Sequence, residues 1–250
     1  MGMENFFEIE NLKKSFDGVT AVDGVNLNIK KGIISSIIGP NGAGKTTLFN
    51  LMSGYYKADS GRIFFLGKEI SRYTPKMITQ IGIARSFQIV NIFPSLTVYE
   101  NVMVAILAKN GKSLNCLTPA KTYFRDDCYS LLERIGLTVQ AQQISGHLAH
   151  GNQKRLEVGL ALAMRPTLLL LDEPTSGMAA EEKGSILGII KDMCDREEST
   201  IFMCEHDMGV IFDISDTIWV LHKGCVIAHG TADEIRNNET VQKVYLGEKE

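Results

Sequence analysis

Residues 39–46 read Gly39-Pro40-Asn41-Gly42-Ala43-Gly44-Lys45-Thr46. This is G-x-x-x-x-G-K-[ST], the loop that wraps the phosphates of a nucleoside triphosphate. The apolar run Ile33-Ile34-Ser35-Ser36-Ile37-Ile38 precedes it, and Thr46-Thr47-Leu48-Phe49-Asn50-Leu51-Met52-Ser53 follows it with Gly54 as a stop. Strand, glycine loop, helix is the context the motif requires. Gly39, Gly42 and Gly44 allow backbone conformations closed to residues with a Cβ, and a close approach to a ligand. The N–H groups of the loop and of Thr47, Pro40 excepted since it has none, then converge on the phosphates, helped by the positive end of the helix. Lys45 places an ammonium on the β- and γ-phosphates, and Thr46 offers a hydroxyl to Mg²⁺. A glycine-rich turn that binds nothing is the competing reading, and the flanking strand and helix argue against it.

The rest of the composition narrows the class. The chain has 250 residues, 44% hydrophobic and 22% charged, enough for one large folded domain with an insertion. Its net charge is −3, and no basic block or aromatic-basic stripe marks a nucleic-acid surface. The five cysteines, 116, 128, 194, 204 and 225, are scattered without a C-x-x-C pair, as expected for reduced thiols of a cytosolic protein. The first ten residues carry acids and no long apolar region, so no signal peptide is expected. No apolar stretch approaches the ~18 residues of a membrane span.

Strand patterns come first: Phe6 to Ile9 and Ala21 to Ile29, with Gly18 as a turn, then Ile33 to Ile38 and Arg62 to Leu66. From about Thr97 to Met164 the pattern is helical, interrupted by a polar loop from Asn110 to Thr118. Strands return at Leu168–Leu171, Ser199–Cys204, Thr217–Leu221 and Cys225–Ala228. Helical segments between strands predict an α/β fold with a mostly parallel sheet. The N-terminal strands predict an antiparallel β side layer, and the middle predicts a helical subdomain over roughly 90–165 inserted in a single domain spanning 1–250.

Leu168-Leu169-Leu170-Leu171-Asp172-Glu173 is the second chemical signal. A buried strand delivers two carboxylates at its carboxyl end, where open α/β sheets bind ligands. Alone, this is a strand end with solvated acids. Beside a phosphate loop, Asp172 reads as the Mg²⁺ carboxylate and Glu173 as the group that polarises the attacking water. His206 follows the strand Thr200-Ile201-Phe202-Met203-Cys204 and is placed to hydrogen-bond a γ-phosphate. Gln88 ends the strand Ile83-Ala84-Arg85-Ser86-Phe87, where its amide can ligate a metal or hold the water. Taken alone, Gln88 is a surface residue.

In this order and spacing the motifs resemble the ATP-binding-cassette family, a P-loop NTPase fold, across essentially the whole chain. The resemblance implies that Gln88 is the Q-loop glutamine, Glu173 the catalytic carboxylate and His206 the switch histidine. It also implies that Phe16 stacks on adenine. Leu148-Ala149-His150-Gly151-Asn152 stands where the family signature Leu-Ser-Gly-Gly-Gln is expected. Ala149, His150, Gly151 and Asn152 would thus meet the γ-phosphate of ATP bound on a second subunit, without the signature's hydroxyl. Ala179 replaces the usual aspartate after Ser176-Gly177-Met178.

The glycine-poor signature, Glu205-His206-Asp207-Met208 and the ending Val244-Tyr245-Leu246-Gly247 resemble the subgroup serving branched-chain amino acid and urea or amide importers. The resemblance then implies an ATPase using ATP and Mg²⁺, paired with an identical or paralogous cassette. Its further partners would be transmembrane permease subunits and, indirectly, a solute-binding protein, on the cytoplasmic face of the membrane. Ile89, Val90, Ile92, Phe93 and Leu96 are apolar enough to dock on the permease or simply to pack internally. An export or lipid-transport cassette, or an ATPase unconnected with transport, is the alternative.

Overall fold

A computed structural model describes residues 6–85, 92–109, 124–197 and 199–246. The chain divides into two compact units, Met1–Arg85 with Thr167–Glu173 and Cys194–Glu250, and Ser86–Pro166 with Pro174–Met193.

The first unit holds two sheets. One is antiparallel, in the order β2-β1-β4-β5, made of β1 (Phe7–Phe16), β2 (Val19–Ile29), β4 (Ser60–Phe65) and β5 (Lys68–Glu69). Alternation along β2 buries Val25, Leu27 and Ile29 on one face, and Val22, across a register slip from Val25, is buried as well. β1 runs further than the expected Phe6–Ile9. Asn11 takes φ 47 and the pairing with β2 slips between Ile9 and Leu12, a bulge that breaks the simple alternation. Gly18, at φ 85, makes the turn into β2.

The other sheet has six strands in the order β10-β9-β3-β8-β7-β6. They are β3 (Ile34–Ile38), β6 (Ile83–Arg85), β7 (Leu168–Asp172), β8 (Thr200–Cys204), β9 (Thr217–His222) and β10 (Cys225–Gly230). β3 pairs in parallel with β8 and β9, and β7 with β8 and β6, while β10 is antiparallel to β9. β3, β7 and β8 are buried along their whole length, which explains their near-continuous apolar sequences. The two serines of β3 are satisfied inside the core: Ser35 Oγ lies 2.9 Å from Thr217 Oγ1 and Ser36 Oγ 2.5 Å from Ser215 Oγ.

Helices α1 (Lys45–Met52), α2 (Pro75–Gln80), α7 (Met208–Ile214), α8 (Ala232–Arg236) and α9 (Glu239–Leu246) complete this unit. Phe49 of α1 stacks on Phe202 of β8, ring centroids 5.4 Å apart, joining the helix after the glycine loop to the sheet centre. Trp219, the one tryptophan of the chain, stacks on His229 at 3.7 Å.

The second unit is helical, with α3 (Val98–Lys109), α4 (Arg125–Arg134), α5 (His150–Ala163) and the start of α6 (Ala180–Glu197). A capping box starts α3: the Thr97 N–H donates to Glu100 at 2.9 Å, and the Glu100 N–H donates to Thr97 Oγ1 at 3.1 Å. The buried amide of Asn101 donates to the carbonyls of Phe93 and Thr97 and to Ser145 Oγ, pinning the preceding loop.

The helical pattern expected from Thr97 to Met164 is not continuous. Between α4 and α5 the chain forms turns and a short 3₁₀ segment at Ser145–His147, and Thr97 bridges Ile144. Gly136, at φ 68, ends the α4 region, and any side chain at Gly146 would press on the Pro94 carbonyl. Leu137 and Ala141 are buried four residues apart, a spacing that suits a helix, yet the chain between them forms turns.

Candidate active site

The glycine loop lies where β3 ends and α1 begins, and three of its glycines serve different needs. Gly42 and Gly44 adopt φ 78 and φ 104, which side-chain-bearing residues rarely reach. Gly39 has no such conformation. It is needed because a Cβ there would collide with the carbonyl oxygen of Leu221 on β9, so its glycine answers to packing within the protein. Gly44 has both demands, since its Cβ would strike the Ala21 carbonyl. Around Gly42 the space is open. The loop is closed by the Ala43 N–H donating to the Pro40 carbonyl at 3.2 Å, and by the Gly224 N–H donating to the Ala43 carbonyl at 2.9 Å.

Lys45, 6% exposed, donates its ammonium to the carbonyls of Gly39 at 2.6 Å and Pro40 at 3.0 Å. Both acceptors belong to the loop itself, so the cation is held over the cradle. Asn41 and Thr46 are exposed, and Thr47 half-buried, at the open end of α1.

β7 ends with two carboxylates in different settings. Asp172 is 2% exposed and its Oδ2 accepts from Arg85 Nη2 at 2.9 Å. Glu173 takes φ 51, unusual for a residue with a Cβ, and its N–H is tied to the Cys204 carbonyl at 2.9 Å. That conformation costs on the order of 1 kcal/mol and turns the side chain away from the buried strand. Glu173 Oε1 lies 2.7 Å from His206 Nε2, so the two residues expected to act on water and phosphate meet each other directly. With Glu173 ionised, His206 carries its proton on Nε2 and donates. Asp207 caps α7 by accepting from the N–H groups of Gly209 and Val210. Burial in the low-dielectric core, with Asp172 close by, pushes the Cys204 thiol up, so it stays neutral beside the carboxylates.

Phe16 ends β1, 37% exposed, edge-on to Tyr56 at 5.2 Å with Lys14 Nζ 5.2 Å from its ring. That leaves an aromatic face accessible in the unit that carries the loop. Gln88, Ile89 and Val90 lie outside the described residues. In the second unit Ala149 is the N-cap of α5, with no side-chain cap, and Ala149 and His150 are exposed while Gly151 is buried. A Cβ at Gly151 would displace the Glu182 carboxylate, the far end of a flexible side chain. The Ala179 N–H donates to that same carboxylate at 3.3 Å. Phe93 is exposed, and Ile92 and Leu96 are half-buried.

Arg85, Asn50 and Ser53 were missed by motif reading. An arginine inside a strand demands a partner, but the sequence does not say which, since its acceptors come from positions 50, 53 and 172. No cluster of three or more His, Cys, Asp or Glu side chains among the described residues forms a metal cage. Asp172 and the Thr46 hydroxyl nonetheless fit Mg²⁺, which takes few protein oxygens and completes its shell from phosphates and water. The open space around Gly42 likewise fits a phosphate chain.

Comparison with known proteins agrees with this geometry. The sequence pattern of the ABC transporter family matches residues 22–176, and that of the branched-chain amino acid ATP-binding cassette transporter matches residues 225–250. The chain is 38% identical to the high-affinity branched-chain amino acid transport ATP-binding protein LivG of Escherichia coli K12, over 96% of this chain and 97% of that one. It is 37% identical to the corresponding protein BraF of Pseudomonas aeruginosa, with the same coverage. Among solved structures it resembles the ADP conformation of MJ1267, an ATP-binding cassette of an ABC transporter. The TM-score is 0.83 at 28% identity, over 98% of this chain and 99% of that one. A dimeric post-hydrolysis state of the cassette MJ0796, bound to ADP and Pi, gives a TM-score of 0.78 at 26% identity, over 90% and 98%. No helix among the described residues is long and apolar enough to cross a membrane. The chain is an ATP-binding, α/β P-loop ATPase and belongs to the ABC transporter family.

Proposed function

We propose that the chain is the ATP-hydrolysing subunit of an importer for branched-chain amino acids or a related small polar solute. The observation that carries this reading is the match at both ends of the relationship: 38% identity to LivG over nearly the full length, and the subgroup pattern over residues 225–250. In this reading Lys45, the loop N–H groups of Gly39 and of Asn41 to Thr47, and the Thr46 hydroxyl hold the triphosphate, and Phe16 supports the adenine. Bound Mg²⁺ supplies positive charge to the phosphate oxygens, and Thr46, Asp172 and Gln88 are the residues that would hold it. Glu173 orients and polarises the attacking water. His206 donates from Nε2, to Glu173 at rest and to the γ-phosphate when a nucleotide is present.

The second unit is read as the inserted helical subdomain, roughly residues 90–165. Its Ala149, His150, Gly151 and Asn152 would meet ATP held by a second cassette, identical or paralogous. A ligand shifts an equilibrium only by binding its two states differently. Here the γ-phosphate binds the closed pair better, because only then does it touch both subunits. Phe93 and its neighbours would pass closure to transmembrane permease subunits, which receive solute from a binding protein. The chain would then sit peripherally on the cytoplasmic face of the membrane. The test is co-expression with candidate permease and binding-protein subunits in vesicles, measuring ATP-dependent uptake of labelled leucine. Uptake that needs ATP and this chain supports the reading, and ATPase activity unaffected by any such permease or solute counts against it.

A further inference from the structure

Arg85 joins three pieces of the first unit through one buried guanidinium. Its Nη1 donates to Asn50 Oδ1 at 2.7 Å and to Ser53 Oγ at 3.0 Å, both on or just after α1. Its Nη2 donates to Asp172 Oδ2 at 2.9 Å, at the end of β7. Ser53 Oγ in turn donates to the Phe49 carbonyl at 2.7 Å, so its lone pairs are free to accept from the arginine. The guanidinium carbon stands 5.8 Å from the centre of the Phe49 ring. The side chains of Arg85 and Asp172 are 8% and 2% exposed, so neither charge is answered by bulk water.

We propose that Arg85 is a positioning residue for the metal carboxylate. It aims the Asp172 carboxylate and fixes it to the helix that carries Lys45 and Thr46. Only a planar fork reaches α1 with one nitrogen and β7 with the other, and a lysine ammonium does not reproduce this. The hydrogen bond described for the Asp172 side chain uses Oδ2, which leaves Oδ1 for a metal ion or its water. Because α1 also begins at the phosphate loop, the metal oxygen and the phosphate cradle then move as one body. Partners behind a metal ligand tune its affinity in this manner, and losing one commonly costs about 10–100-fold. The proposal rests on the reading that Asp172 serves Mg²⁺.

The test separates metal from nucleotide. A fluorescent ATP analogue is titrated onto the full chain in EDTA, and then Mg²⁺ is titrated onto the complex, for wild type, Arg85→Lys and Asp172→Asn. Arg85→Lys is expected to keep metal-free nucleotide affinity within about twofold while raising the Mg²⁺ half-saturation about tenfold. If Asp172→Asn shifts the Mg²⁺ curve and Arg85→Lys does not, the positioning role is overturned while the metal site stands. If neither variant shifts it, the metal reading of Asp172 fails and the proposal with it. Should Arg85→Lys fail to fold, Asn50→Ala combined with Ser53→Ala decides: it keeps the ion pair but cuts the tether to α1. An Mg²⁺ curve shifted about threefold or more there supports the proposal, and an unmoved curve overturns it.

Discussion

The glycine loop of the first unit and the start of α5 in the second are both helix N-termini preceded by exposed chain, yet they are built differently. Around the loop the fold has closed nearly every gap. Gly39 lies against β9, Gly44 against β2, Lys45 is held by two loop carbonyls, and Asp172 is clamped by Arg85. At α5, Ala149 supplies no capping oxygen, and Ala149 and His150 face outward. One terminus is complete within a single chain. The other offers backbone N–H groups and an exposed imidazole, chemistry that takes effect when something anionic is brought to it.

The largest effect that separates the two is expected at the first unit's carboxylates. Glu173→Gln keeps an acceptor for His206 but removes the charge proposed to polarise water. ATP turnover should fall at least ~100-fold, the low end for a lost general base, with nucleotide binding retained and a dimer persisting on size exclusion. Lys45→Ala removes charged hydrogen bonds to phosphate worth ~1.5–3 kcal/mol, so nucleotide affinity should fall about 10–100-fold in a fluorescence titration. Gly39→Ala tests packing apart from chemistry: it should lower unfolding free energy by ~1–3 kcal/mol in urea, even without nucleotide. Gly42→Ala meets open space and should cost only about 1 kcal/mol through its positive φ.

At the second terminus the effects should be smaller. Ala149→Ser supplies a missing cap, which is worth ~0.5–1 kcal/mol of stability and should raise ATPase activity by no more than a few-fold. A large gain would mean that the backbone alone does not serve a partner's nucleotide. The smallest expected signal involves His229. Burial, aided by Lys30, holds its pKa below the ordinary histidine value, so the folded state prefers it neutral. Stability from this site is full above the unfolded pKa of about 6.5 and is lost as pH falls through the lower folded value. Trp219 stacks on it, so tryptophan emission should change over that acid range in wild type and stay flat in His229→Phe.

Much of this was readable from residue types. Gly42, Gly44, Lys45, Asp172 and Glu173 stood out because phosphate chemistry demands those side chains at those spacings. Strands β3, β7 and β8 stood out because a strand buried on both faces is continuously apolar. The reason for Gly39 was not readable, since Leu221 is remote in sequence and only the fold brings its carbonyl there. Arg85 was hidden likewise, its three acceptors coming from positions 50, 53 and 172. The direct Glu173–His206 contact depends on a positive φ that no local pattern announces. The turns between α4 and α5 were hidden behind the helix-like spacing of Leu137 and Ala141, being set by glycines and by the Asn101 network.

The wall that Leu221 and Gly224 raise behind the phosphate loop has a bearing on how the protein is made. β3 is translated early, but its neighbours β8 and β9 and the hairpin turn at Gly224 come from the last quarter of the chain. Gly39 meets the Leu221 carbonyl, and the Ala43 carbonyl its Gly224 donor, only once that hairpin has formed. Such long-range pairing is slow to close. On the ribosome the loop therefore emerges long before the wall behind it is built. A chain that stops short of the hairpin is therefore expected to bind ATP more weakly than the full chain, which a nucleotide titration of both would check.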